Sequence, residues 1–251
     1  MIYTKRTRVL WHDTDANREL TPSGYQKIMQ ETANDQLRDA KFDLDTVMRD
    51  RMRMGFLLSR IALRIYQPLH TGEEIESKTW AVEPHGLSFD RCFRLLRNGE
   101  TVAEAYSAWG LMQIDERRLV RAGEVEYPLT PEEKILPSGV PLRFKVPPTD
   151  AMEYAGERKI VYSDVDYNRH MNNTNYPNML CDFIPGILDE SVVGFSLSYL
   201  REAVYGHTLR VWRAPYVGAD GARGWLFRTA DEAGETCLEA LLLTERRKET
   251  I

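Results

Sequence analysis

The chain carries one pattern twice, and that duplication narrows the folds open to it more than any other feature. His12-Asp13-Thr14-Asp15-Ala16-Asn17-Arg18-Glu19 aligns without gaps on Ser163-Asp164-Val165-Asp166-Tyr167-Asn168-Arg169-His170. Both aspartates, the asparagine and the arginine coincide, and six residues further on Tyr25 matches Tyr176. Later in each half, Phe93-Arg94, Gly99-Glu100-Thr101 and Glu104-Ala105 match Phe227-Arg228, Gly234-Glu235-Thr236 and Glu239-Ala240 in the same order. Two blocks that agree in order mark one folding unit written twice, and 251 residues are enough for two small domains.

Between the halves, residues 116–157 hold Pro128, Pro131, Pro137, Pro141, Pro147 and Pro148 with Gly123 and Gly139, a composition that disfavours regular structure. The expected division is an N-terminal domain over residues 1–120, a Pro-rich linker over 121–152 and a C-terminal domain over 153–251. In the first half, Thr21-Pro22 has the form of a helix N-cap followed by proline at the first helical position, and Tyr25, Ile28, Met29, Thr32, Ala33 and Leu37 recur at helical spacing. Segments 54–69, 73–83, 86–97 and 101–115 are rich in β-branched and aromatic residues and predict strands, with a tight hairpin at Asn98-Gly99. The second half predicts a strand near 157–163, a helix from about Asn173 to Ile184, and strands near 191–204, 207–217, 223–231 and 235–246. Pro177 is tolerated because it falls in the first turn of that helix. The resulting class is α+β: a tandem double hotdog, each half a long helix packed against a curled antiparallel sheet.

Composition removes several functions. With 43% apolar and 28% charged residues the chain reads as a folded soluble protein. Its apolar stretches, such as Ala240 to Leu243, fall far short of the roughly 20 residues of a membrane-spanning helix. The start Met1-Ile2-Tyr3-Thr4-Lys5 has no signal-peptide character, so a cytoplasmic protein is expected. A net charge of −5 argues against nucleic acid as a partner, although arginines near 49–53 and 117–121 allow a local basic patch. Cys92, Cys181 and Cys237 are odd in number and form no CxxC pair, which predicts inert thiols in place of disulfides or a zinc site.

The segment from Asp164 to Tyr176, reading Asp164-Val165-Asp166-Tyr167-Asn168-Arg169-His170-Met171-Asn172-Asn173, resembles the D-x-N-x-H-x-N-N signature of acyl-ACP thioesterases of plant plastids and bacteria. The resemblance implies two fused hotdog domains that hydrolyse the thioester between a fatty acyl chain and the phosphopantetheine arm of acyl carrier protein, with the catalytic group in the C-terminal domain. Carried over by position, it implies roles for Asp166, Asn168 and His170, and for Glu202 in Leu200-Arg201-Glu202-Ala203. Ala203 stands where an older proposal for the family places a nucleophilic cysteine, so attack by an activated water is the expected chemistry. A homodimer of double-hotdog chains is one assembly compatible with the resemblance.

Thioester hydrolysis needs a base for water, a group that holds the base, and donors aimed at the developing oxyanion. Asp166 or Glu202 can serve as the base; Glu202 with Asp166 supporting His170 is the favoured order, and the alternative stays open. Asn168 offers a neutral amide, and backbone N–H groups from Met171 to Asn173 are candidates to polarise the carbonyl. Asp166, Asn168 and His170 alternate, so in an extended loop all three face one side. Asp164, Asn172 and Asn173 are expected to be capping residues. A metal site from His12, Asp13 and Asp15, or from Asp164, Asp166 and His170, matches no standard ligand spacing, and neither metal nor other cofactor is assigned.

The repeat contains its own control. The position of His170 is Glu19 in the first half and, with Gly72 placed on Gly206, that of Glu202 is Pro68. The N-terminal domain is therefore expected to be non-catalytic, and the resemblance implies that it lines the acyl pocket, with Met29, Met54, Phe56, Leu57 and Leu58 as candidates. Competing readings are a hotdog thioesterase acting on acyl-CoA or aryl-CoA, and a non-catalytic acyl-binding protein. Hotdog dehydratases need a different arrangement of His and carboxylate.

Overall fold

A computed structural model describes residues 1–247; residues 248–251, the end of the expected C-terminal domain, lie outside the described residues. The chain divides into two units, Met1–Leu20 with Gly24–Ser138, and Thr21–Ser23 with the chain from Gly139 onward. In the first unit β1 (Tyr3–Arg8), β2 (Met54–Ile65), β3 (Glu74–Ala81), β4 (Arg91–Arg97) and β5 (Glu100–Gln113) form an antiparallel sheet in the order β1-β3-β4-β5-β2. A short β6 (Arg118–Val120) pairs with β5. In the second unit β7 (Glu153–Lys159), β8 (Glu190–Tyr199), β9 (Thr208–Val217), β10 (Arg223–Ala230) and β11 (Thr236–Arg246) take the order β8-β11-β10-β9-β7, also antiparallel. Numbered from the start of its own unit, each sheet runs 1-3-4-5-2. The sequence duplication is thus a duplication of topology.

The matched blocks have physical causes. Asn98 and Gly99 take φ of 52° and 84° between paired Arg97 and Glu100, the two left-handed positions that a two-residue hairpin demands. Arg94 faces Glu104 across the ladder with 2.7 Å between Nη2 and Oε1, and Arg228 faces Glu239 with 2.5 Å. Neighbouring Phe93 and Phe227 alternate to the opposite side and are buried.

Helix α1 (Pro22–Asp39) begins at the proline the sequence singled out and buries Tyr25, Met29, Ala33 and Leu37. It is tied to the sheet by buried polar contacts, Thr32 Oγ1 to Ser77 Oγ at 2.7 Å and Arg91 Nη1 donating to Gln36 Oε1 at 2.5 Å. The second unit does not repeat this length. Its expected helix from Asn173 to Ile184 is a 3₁₀ turn, Asn173–Asn175, followed by α2 (Tyr176–Cys181) with Pro177 in its first turn. Phe183 and Ile184 then donate to Leu180 and Cys181 three residues back, because Pro185 disfavours a helical residue before it and Gly186 turns left-handed at φ 69°. The first unit also holds a π-helical segment, Leu44–Arg51, that was not foreseen; Asp43 caps it by accepting from Thr46 N at 2.7 Å.

The Pro-rich stretch is docked on the first sheet from Glu132 to Ile135. Glu132 N donates to Ala81 O at 2.9 Å, Trp80 Nε1 to Glu133 O at 2.8 Å, and Ile135 N to Cys92 Sγ at 3.4 Å. Proline removes donors from a segment, yet amides and carbonyls from Glu132 to Ile135 still find partners on the first sheet. Cys92 and Cys237 are buried and Cys181 partly so, and all three are free thiols. Among the described residues no helix is long and apolar enough to cross a membrane.

Candidate active site

Each unit presents the repeated motif as a closed turn. In the second, Asp166 N donates to His170 O at 3.1 Å, Arg169 N to Asp166 O at 2.9 Å, and Asn168 N to Asp166 Oδ1 at 2.8 Å. In the first, the matching bonds are Asp15 N to Glu19 O at 2.8 Å, Arg18 N to Asp15 O at 3.0 Å and Asn17 N to Asp15 Oδ1 at 2.8 Å. Arg18 and Arg169 sit at φ 64° and 63°, a left-handed conformation uncommon outside glycine and held here by the bonds on either side. The shared aspartate is explained by these geometries: its carboxylate caps the amide two residues on, as Asx turns do. The segment is therefore not extended, and the alternation argument that placed Asp166, Asn168 and His170 on one side does not apply to it.

The turn is sealed against the chain that follows β8. Met171 N donates to Ala203 O at 2.8 Å, Tyr205 N to Arg169 O at 3.0 Å, and His170 forms a β-bridge with Val204. This pairing brings His170 Nε2 to 3.3 Å from Glu202 Oε2, with both side chains partly exposed. In the first unit Leu20 N reaches Leu69 O at 2.7 Å, Thr71 N reaches Arg18 O at 3.1 Å, and Glu19 bridges His70. The register is the same, so Glu19 and Pro68 occupy the places of His170 and Glu202. The carboxylate–imidazole contact belongs to the second copy.

Of the four residues singled out by sequence, the structure joins His170 to Glu202 by side chains, and Asp166 to His170 and Asn168 through the turn's backbone. Asp166 Oδ1 is engaged with Asn168 N. The amides expected to polarise a carbonyl are already used in part: Met171 N donates to Ala203 O and Asn172 N to Asp164 O at 2.8 Å. Asn172 caps the 3₁₀ turn by accepting from Thr174 N at 3.0 Å. Asp164 is buried and serves another end, accepting from Val161 N at 2.8 Å and pairing with Arg158 at 2.5 Å. Asn173 uses its carbonyl to accept from the Tyr199 hydroxyl at 2.8 Å.

Among the proposed pocket residues, Met29 is buried, and Met54 and Phe56 pack against a buried cluster that includes Met48, Phe89 and Leu111. Phe56 meets Phe89, Trp109 and Tyr127 edge-on at 5.9–6.4 Å. Leu58 is partly buried, but Leu57 alternates outward and is 36% exposed, so it does not line the interior.

Residues 1–126 match the acyl-ACP thioesterase N-terminal domain and residues 150–240 match the acyl-ACP thioesterase C-terminal domain. The chain is 22% identical over 215 residues to a palmitoyl-acyl carrier protein thioesterase, chloroplastic, of Arabidopsis thaliana, covering 80% of this chain and 52% of that relative. It is 24% identical over 217 residues to the oleoyl-acyl carrier protein thioesterase 2 of the same plant, covering 80% and 59%. The chain thus spans between about half and three fifths of the length of these relatives. Among solved structures, an acyl-ACP thioesterase from Bacteroides thetaiotaomicron aligns with a TM-score of 0.84 at 21% identity, covering 97% of this chain and 98% of that one. A 12:0-ACP thioesterase from Umbellularia californica aligns with a TM-score of 0.85 at 17% identity, covering 98% and 94%. These alignments show that the chain has their fold, the double hotdog expected from its sequence.

Proposed function

This chain belongs to the acyl-ACP thioesterase family, and we propose that it hydrolyses the thioester of fatty acyl-[acyl carrier protein] to free fatty acid and carrier. The observation that carries the reading is the His170–Glu202 contact at 3.3 Å, which the second unit makes and for which the first unit has Glu19 and Pro68. In this reading Glu202 takes a proton from water as its oxygen attacks the thioester carbonyl. His170 holds that carboxylate and shares the proton, which returns to the departing thiolate when the C–S bond breaks. The amide of Asn168 is assigned to orienting the water or His170. Asp166 is assigned the turn that presents Asn168 and His170, as its bond to Asn168 N supports.

The test is turnover of the purified chain on matched acyl-carrier and acyl-CoA substrates, followed by release of thiol. Hydrolysis of the carrier-linked series with a higher kcat/KM than the CoA series is expected. A preference for CoA would move the chain to the rival substrate class, and absence of turnover on both would leave an acyl-binding protein.

A further inference from the structure

The hydroxyl of Tyr199, the last residue of β8, donates to Asn173 O at 2.8 Å. That bond joins the two segments that carry the candidate pair, since Glu202 follows Tyr199 by three residues and His170 precedes Asn173 by three. Beyond Glu202 the same segments are closed by Met171 N on Ala203 O at 2.8 Å, Tyr205 N on Arg169 O at 3.0 Å and the bridge from His170 to Val204. Glu202 therefore projects from a short stretch of chain tied to the His170 segment at both ends. In a regular α-turn the Asn173 carbonyl would receive the N–H of residue 177, but that residue is proline and has none. Asn173–Asn175 is a 3₁₀ turn, and a side-chain O–H from β8 reaches the carbonyl that Pro177 cannot serve. The first copy has neither feature. With Tyr25 placed on Tyr176, Pro177 corresponds to Gln26, which has an N–H; with Gly72 placed on Gly206, Tyr199 corresponds to Ile65, which has no hydroxyl. The tie thus accompanies the His170–Glu202 contact and is lacking in the copy that has Glu19 and Pro68.

We infer that Tyr199 is a positioning residue for the Glu202–His170 pair, its hydroxyl pinning the end of β8 to the 3₁₀ turn so that the carboxylate stays within reach of the imidazole. The inference rests on the proposal that this pair carries out the hydrolysis. Loss of the hydroxyl releases the tie before Glu202 and leaves the one beyond it, so the stretch from Leu200 to Glu202 can swing about its far end. A shift of about 1 Å in a reacting group costs up to about a hundredfold in rate, whereas a carrier-linked substrate bound mainly elsewhere keeps its affinity. The ring of Tyr199 is set separately, by an edge contact with Tyr176, centroids 5.4 Å apart at 86°, so phenylalanine at this position removes the tie and keeps the packing.

The experiment measures kcat, KM and Tm of Tyr199→Phe, in the wild-type and in the Pro177→Ala background, with Glu202→Gln and His170→Ala alongside and all rates corrected for folded fraction by circular dichroism. Tyr199→Phe should lower kcat by about tenfold or more with KM changed less than about twofold. Pro177→Ala returns an N–H to the Asn173 carbonyl without returning the tie to β8. In that background Tyr199→Phe should therefore lower kcat by a similar factor while lowering Tm less than it does in the wild type. If Tyr199→Phe alone does not fold, the comparison within the Pro177→Ala background carries the test. Full kcat in Tyr199→Phe, or a kcat loss that disappears once Pro177 is alanine, overturns the positioning role while Glu202→Gln and His170→Ala remain inactive. Wild-type turnover in Glu202→Gln and His170→Ala refutes the catalytic pair itself, and the positioning role with it.

Discussion

His170 Nε2 lies 3.3 Å from Glu202 Oε2, while the carboxylate of Asp166 accepts from Asn168 N within its own turn. Two acids whose order the sequence left open thus stand in different surroundings, one beside the imidazole and one inside the loop that carries it.

The division of labour is tested first by removing the pair. His170→Ala and Glu202→Gln should each reduce kcat by about a hundredfold or more, the scale for losing a general base or its partner. The matched changes Asp15→Ala and Glu19→Ala should leave kcat within about threefold of wild type in protein of equal folded fraction. Because the pair acts as one unit, the double variant should fall far short of the product of the single effects. Equal losses from the two units would indicate two working sites.

Asp166 separates by the choice of replacement. Asparagine keeps an oxygen that can accept from Asn168 N, so Asp166→Asn should lose less than about tenfold in kcat, whereas Asp166→Ala, which abolishes the cap, should lose about a hundredfold. If both lose equally, Asp166 acts through its charge and the base assignment moves to it.

The thiols are expected to be bystanders. Burial pushes Cys92 and Cys237 up to about 11, so at pH 8 they hold far less thiolate than a free cysteine. Simultaneous replacement of Cys92, Cys181 and Cys237 by alanine should preserve kcat after correction for folded fraction, and iodoacetamide at pH 8 should not inactivate the native protein. The sign of the linkage follows from folded values raised above an unfolded value of 9.0. The contribution to stability is complete below that value and declines as pH rises from 9 to about 11, because the unfolded chain releases these protons first. Equilibrium urea unfolding over that interval should show a fall that the cysteine-free protein lacks.

Recognition of the carrier should depend on salt. Arg169 and Arg201 are exposed on the segments that hold His170 and Glu202, and a strongly acidic carrier would meet them at short range. The Michaelis constant for acyl-carrier substrates should rise as ionic strength exceeds about 0.15 M, where the screening length is about 8 Å. Arg169→Glu should raise it at low salt with little change in kcat. A salt-independent constant in the wild type would remove these arginines from the docking surface.

Much of the fold was legible because duplication and turn chemistry are local signals. Asn98-Gly99 specifies its hairpin without help from the rest of the chain, and the Phe-Arg with Glu-Ala blocks encode a cross-strand ion pair over a buried ring. What was not legible depends on competition. The second helix reads long by its apolar spacing, but Pro185 and the i to i−3 bonds around it shorten the α-helical part to Tyr176–Cys181. The motif residues were identified by resemblance, while their side-chain directions depend on a left-handed Arg169 that spacing cannot reveal. The amides of Met171 and Asn172 looked available because their acceptors, Ala203 O and Asp164 O, are supplied by the turn's closure. Composition records the donors that proline removes from residues 121–152 and says nothing of those that remain, such as Glu132 N on Ala81 O.

The first unit retains the turn at Asp15, the bridge from Glu19 to His70 and the buried hydroxyl of Tyr25 beneath Leu69. Its turn has the same backbone register as the second, with Glu19 and Pro68 at the positions of His170 and Glu202. Installing histidine at Glu19 and glutamate at Pro68 would transplant the imidazole–carboxylate pair onto a loop already shaped to hold it. Architecture is present in both copies, whereas the imidazole–carboxylate contact is made by a few atoms of the second.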